Sequence, residues 1–158
     1  MKPRDLLATA RRLTRASGAA RPRQSDLKRG LSTVYYAVFH AIRRNCADCL
    51  IGGSSADRSL PAWRQTYRAV EHARAKDQCR NRAMLAKFPK EVEDFAAFFV
   101  AIQERRHRAD YDPAYRVTRT MVEQDIALAE RAIQRLTAAP IKDRRAFAAW
   151  VLFRARAD

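Results

Sequence analysis

Apolar residues recur along this chain at intervals of three and four, the repeat of one face of an α-helix, in nearly every segment. Leu6, Ala10, Leu13 and Ser17 line one face of a helix expected over Pro3–Ala16, with Pro3 in its first turn and Gly18 as its stop. A basic loop carrying Arg21, Pro22 and Arg23 leads to Ser25, expected to cap a long second helix reaching Leu50. That helix bears two adjoining stripes, Leu27, Leu31, Val34, Val38 and Ala41 beside Tyr35, Phe39, Ile42, Cys46 and Cys49. Two stripes on one helix require more than one neighbour, as at the centre of a bundle. Gly30, in its early turns, suits a close helix–helix approach.

Gly52, Gly53, Ser54 and Ser55 mark a loop, after which a third helix starts near Leu60 with Pro61 in its first turn. Trp63, Tyr67 and Val70 read as its core face, in line with Arg74, and the pattern fades after Ala75 through residues 76–82. Beyond Pro89 a fourth helix is predicted over Lys90–Ala109, with Val92, Phe95, Phe99 and Ile102 in one stripe. A fifth, Thr120–Thr137, has the cleanest repeat in Val122, Ile126, Ala129, Ile133 and Leu136. Past Pro140, a last helix over Lys142–Arg156 carries Phe147, Trp150, Val151 and Phe153.

No run alternates apolar and polar residues in the manner of a strand, and four glycines and six prolines in 158 residues leave few helix breakers. The expectation is one all-α domain, an up-and-down bundle of four or five helices over residues 4–137, with 141–156 packed on it or extending it. No apolar run is long enough to cross a bilayer.

Charge changes the picture. Lys and Arg number 32 against 17 Asp and Glu, a formal net charge of +15, which favours anionic partners and nucleic acid first among them. The arginines are scattered rather than gathered in one tract, so the charge is equally compatible with a surface that serves solubility alone. Cys46, Cys49 and Cys79 are odd in number and follow no signal-like segment, which points to a reduced, cytoplasmic setting. With His72 they invite a zinc reading, but Cys46 and Cys49 fall inside an apolar stripe, where packing is the expected role. Neither a metal nor another cofactor is expected.

The fourth helix ends in the densest polar cluster of the chain, Arg105-Arg-His-Arg-Ala-Asp-Tyr-Asp112. Arg106 continues the stripe of Val92, Phe95, Phe99 and Ile102, where packing alone would call for leucine. A guanidinium there must find an anion or stay near water. Pro113 limits the helix, so the cluster falls at a helix end beside the core. Asp110, four residues on, can pair with Arg106 with no ligand at all, and Tyr36 and Tyr111 can serve as amphipathic packing residues.

Two of these segments carry a resemblance. Ser32-Thr-Val-Tyr-Tyr-Ala-Val-Phe-His40 resembles the Tyr-Tyr-Ala-x-Phe-His signature on the second helix of HEPN domains, and Arg106-His-Arg-Ala-Asp-Tyr-Asp112 is similar to the Arg-x-x-Ala-Asp-Tyr ending of many bacterial HEPN proteins. The likeness covers about residues 4–137. It implies a helical bundle, usually a homodimer, whose active members are metal-independent ribonucleases, often toxins paired with a nucleotidyltransferase antitoxin. Their motif is an Arg, then a polar residue, then a His four to six positions after the Arg. Arg106 matches the Arg and His107 the polar residue. Position 111, however, is Tyr, and no His follows it.

Cleavage through the RNA 2′-hydroxyl needs a proton acceptor near neutral pKa and a cation for the developing phosphorane. Arg106 suits the cation. Tyr111 is a poor base, with an ordinary pKa of about 10; His107 and His40 are the remaining candidates, although His107 points about 100° around the helix from Arg106. Three readings follow. One is an RNA- or nucleotide-binding module of a toxin–antitoxin or defence system, with Arg105, Arg106 and Arg108 on phosphate and Tyr111, His107 and His40 shaping the pocket. The second is a ribonuclease using Arg106 and a relocated His. The third is a structural bundle with Arg106–Asp110 as an architectural pair.

Overall fold

The structure, a computed structural model, describes residues 2–15 and 21–154. Regular structure among them is entirely helical: α1 (Pro3–Thr14), α2 (Gln24–Leu50), α3 (Leu60–Ala69), α4 (His72–Arg80), α5 (Arg82–Leu85), α6 (Lys90–Tyr111), α7 (Arg119–Ala138) and α8 (Ile141–Leu152). α1 ends at Thr14 and α8 at Leu152, with Arg15 and Phe153 already extended, short of the expected ends at Ala16 and Arg156; Ser17 and Gly18 lie outside the described residues.

α2 is the axis, packed by α1, α3, α6, α7 and α8. Both of its stripes are buried, with Leu31, Val34, Tyr35, Val38, Ile42 and Cys46 sealed from solvent. α6 lays Val92, Phe95, Phe99 and Ile102 against the core, and the Phe99 ring stacks near Tyr35 (5.9 Å) and Phe39 (6.3 Å). Phe147 of α8 closes this layer edge-on to Phe95 at 6.3 Å. Fully burying one such aromatic stabilises by roughly 2–3 kcal/mol, so this stack carries a large share of the fold. α2's apolar surface, which suggested a need for several neighbours, finds them all within the chain.

Gly30 sits where α1, α2 and α7 converge. A Cβ there would lie 3.3 Å from Val122 Cγ1 and 3.7 Å from the Ala10 carbonyl. Its lack of a side chain permits the close approach.

The structure departs from the pattern-based boundaries in four further places. α2 starts at Gln24 rather than after a Ser25 cap, because the Gln24 amide bonds both backbone groups of Val117 (2.7 and 3.1 Å) and ties the helix start to the segment before α7. The third helix stops at Ala69: Val70 is buried in extended conformation, and the chain restarts as α4, which packs mainly on α6 and α8 and meets α2 through His72. The apparently fading stretch is thus helical, anchored by buried Ala75 and Cys79 and by mutual bonds between Gln78 and Trp150 (2.7 and 3.1 Å). Trp63 and Tyr67, read as core, are only half-buried; the indole N–H donates to Asp48 at 2.8 Å. α6 runs on to Tyr111, where Asp112 takes the Ala114 N–H (2.9 Å).

Substituting Gly30 tests the convergence. Gly30→Val should lower stability by about 1–3 kcal/mol through overpacking against Val122. Gly53→Ala, with open space around its Cβ, should be close to neutral by the same denaturation measurement.

Candidate functional site

α2 is largely enclosed by its neighbours, and one of its remaining edges carries a line of polar residues. Ser32, Tyr36, His40 and Arg43 recur at helical spacing along it, with Tyr35 and Phe39 just beneath. Three other elements reach this edge. α6 brings Arg106 and Asp110, α3 brings Tyr67, and the break after Val70 delivers His72 at the first position of α4.

The rings form a continuous row. His72 stacks on Phe39 at 3.7 Å between centroids and 21° between planes, and meets Tyr36 edge-on at 6.1 Å. The Tyr35 hydroxyl bonds His72 Nδ1, and the Tyr67 hydroxyl bonds His40 Nδ1. Tyr67 in turn stacks on Trp63 at 5.1 Å.

Two guanidiniums lie on this row. Arg106 stands over Tyr35 (5.3 Å) and Tyr36 (5.5 Å), and Arg43 over Phe39 (4.8 Å) and Tyr67 (5.3 Å). Their anionic neighbours differ. Arg106 Nε lies 2.8 Å from Asp110 Oδ2, yet its N–H is not aimed at that oxygen, so the contact is coulombic and the Nε remains without a hydrogen bond. Asp110 meanwhile accepts from Ser32 Oγ at 2.9 Å. Arg43 pairs with no carboxylate among the described residues, and its buried Nε has no partner. Orphaned charged donors of this kind are expensive to keep; Arg43 shares the feature with Arg74, Arg105 and Arg106, and what sets it apart is its place over two rings without a carboxylate.

The protonation states follow from the same geometry. Burial pushes the Tyr35 phenol well above its ordinary range, and the Tyr67 phenol is also raised by burial, so both hydroxyls keep their protons. Burial, with Arg43 beside it, holds His40 down at about 4; burial, then Arg43 and Arg106, lower His72. Both imidazoles are therefore neutral at pH 7. A buried hydroxyl without another acceptor must donate, so Tyr35 donates to His72 Nδ1, and the imidazole proton resides on Nε2. Tyr67 is half-exposed and its hydroxyl can reach water, so the same argument fixes the tautomer of His72 and not that of His40. The arrangement is one of donors and π faces, suited to an anion attached to a planar ring.

Of the residues singled out by sequence, Arg106, Asp110, His40 and Tyr36 come together here. His107 and Tyr111 do not: they pair with each other at 4.7 Å on another face of α6, with Tyr111 70% exposed. Arg105 turns instead to Asp125 of α7 (3.1 Å), a carboxylate only 1% exposed whose pKa is raised by burial against the pull of Arg105. Arg108 lies over the Tyr115 ring at 4.2 Å. The three arginines thus serve three surfaces, as the 100° step per residue dictates.

Arg43, Tyr67 and His72 were missed. Arg43 shares the helical face of Ser32, Tyr36 and His40, a signal available in the spacing. His72 was weighed only with the cysteines. Those are free and buried, and the thiols of Cys46 and Cys79 are pushed up to about 12 by burial. Among the described residues no group of three or more His, Cys, Asp or Glu could hold a metal ion.

The row is an open shelf, not a cavity. The depressions lie elsewhere, one of about 610 Å³ being lined by Cys79, Leu85 and Val100 between α4, α5 and α6. No family model, curated protein or solved structure matches the chain.

The depressed histidines predict a sign. Between pH 6.5 and about 4 the unfolded chain takes up a proton at His40 that the folded chain refuses, so stability should fall across that window on acidification and be level with respect to His40 above it. His72 shifts in the same direction and adds to the slope. Melting temperatures measured against pH should show a shallower acid decline for His40→Gln than for the unaltered protein.

Proposed function

We propose that this chain is a HEPN-like module that binds RNA or a nucleotide through the aromatic and arginine row on α2. The observation that carries this reading is Arg43, a guanidinium held over two rings with no carboxylate partner among the described residues. Arg106 on the same row, only loosely held by Asp110, supplies a second cation. Arginine forks match phosphate oxygens, and exposed ring faces accept bases of any sequence. The net charge of +15 adds long-range attraction for a polyanion.

Binding fits this chemistry better than cleavage. The ribonuclease reading needs a histidine that accepts a proton, whereas His72, the histidine stacked in the row, is held as a donor by the buried Tyr35 hydroxyl. His107, the histidine adjacent to Arg106 in sequence, faces elsewhere. A homodimer and a nucleotidyltransferase partner accompany this reading through the resemblance alone, since α2's apolar stripes are already covered within the chain, and a cytoplasmic setting through the three free cysteines.

Anisotropy of labelled, mixed-sequence single-stranded RNA tests the proposal. Affinity should drop steeply between about 50 and 200 mM salt, because each phosphate neutralised releases counterions. Arg43→Ala and Arg106→Ala should each weaken binding about tenfold or more, and Arg131→Ala, on exposed α7 surface, should not. Melts of the same proteins should show Arg43→Ala as stable as the parent. Absence of binding at low salt, or unchanged affinity in both variants, overturns the proposal. RNA should remain uncut in EDTA; cutting would favour the ribonuclease.

A further inference from the structure

We infer that the row is a clamp for two phosphates placed on either side of one base, so that its smallest ligand is a nucleoside 3′,5′-bisphosphate unit of single-stranded RNA. This rests on the RNA- or nucleotide-binding reading and specifies its ligand. The two guanidiniums do not form one cluster. Arg106 stands over Tyr35 and Tyr36, while Arg43 stands over Phe39, about one helical turn further along α2. The rings beneath them, Tyr35 and Phe39, have centroids 6.1 Å apart.

What fills the interval is His72. One face of its imidazole is against Phe39 at 3.7 Å, and the residue is otherwise exposed, so its outer face is open to solvent. His72 feels both cations, each of which helps to lower its pKa, as expected for a ring set between them. The order along the shelf is therefore cation, aromatic face, cation.

A single phosphate engages one arginine fork. Two forks separated by a ring fit phosphate, base and phosphate in succession. A 5′-diphosphate has similar charge but places both phosphates on one side of its base, so it can occupy only one end. A duplex hides its base faces in the stack and cannot offer one to His72. The Nε2–H of His72 lies beside this path as a donor to the sugar–phosphate edge.

Titration calorimetry at low salt with inorganic phosphate, AMP, ADP and adenosine 3′,5′-bisphosphate reads the clamp directly. The bisphosphate should bind about tenfold tighter than either AMP or ADP, the gain from one added charged fork. Arg43→Lys and Arg106→Lys, which keep charge and lose the fork, should each erase that advantage, whereas Arg131→Lys, on exposed α7 surface, should retain it. In competition against labelled single-stranded RNA, a duplex of the same sequence should be the weaker competitor. Equal affinity for ADP and the bisphosphate would overturn the clamp and leave charge alone as the determinant. RNA binding without bisphosphate binding would overturn the clamp while the RNA reading stands. Failure of every probe, RNA included, would remove both. Loss of binding with an altered melt in the Lys variants would assign the arginines to architecture, also against the clamp.

Discussion

The burial of two adjoining faces of α2 is the constraint from which the rest follows. A helix packed by α1, α3, α6, α7 and α8 has little perimeter left, and Ser32, Tyr36, His40 and Arg43 share one partly exposed strip of it. Tyr35 and Phe39 sit at the boundary, buried in the core yet forming the floor on which Arg43, Arg106 and His72 rest. The shelf is thus a product of core packing. A substitution that loosened the stack of Tyr35, Phe39 and Phe99 would move the floor and the cations on it together.

Two arginine–carboxylate pairs on neighbouring positions of α6 illustrate how burial separates architecture from a binding surface. Arg105 meets a nearly inaccessible Asp125, whose second oxygen has no partner. Removing either member would leave a charge stranded between α6 and α7, so that pair is held by the cost of breaking it. Arg106 and Asp110 are both partly exposed, their N–H and oxygen are misaligned, and Asp110 divides itself between Arg106 and Ser32. An exposed pair of that geometry contributes at most about 1 kcal/mol and yields easily to a better acceptor. Sequence spacing, identical in kind for many such pairs, cannot draw this distinction. Burial draws it.

The periodicity of apolar residues was enough to place α2, α6 and α7 to within a residue or two and to foresee the role of Gly30. It failed where tertiary contacts override a continuing pattern. Trp63, Tyr67, Val70 and Arg74 keep helical spacing through a point at which the chain actually turns, because Val70 enters the core and Gln78 and Trp150 draw α4 toward α8. His72 owes its place to that turn, so nothing local announced it. Arg43 was hidden for another reason. It neighbours Arg44, and composition makes the two look alike, yet Arg44 is paired with Asp48 at 3.3 Å whereas Arg43 is left to the rings. The motif segments told where to look, on α2 and at the end of α6, but which residues of each segment converge was decided by the 100° step between successive side chains.

That step also bears on the histidine that the proposed HEPN resemblance would call for. Position 111, where the motif would place an imidazole, is Tyr111 on a face of α6 that turns away from Arg106 and stacks with His107. Histidines do stand beside Arg106 and Arg43, but they come from α2 and α4, and each is bound through Nδ1 by a tyrosine whose phenol burial keeps protonated. An imidazole held by a fully buried hydroxyl has its basic nitrogen occupied and its proton directed outward. At His72, reversing the bond so that Nδ1–H donates to the tyrosine would make Nε2 the base but strand the buried Tyr35 O–H, at a cost of about 1–3 kcal/mol. Tyr35 thus ties His72 to the donor role at its outward nitrogen, whereas His40, whose partner Tyr67 is half-exposed, is not so constrained: burial of the phenol decides which imidazole is fixed.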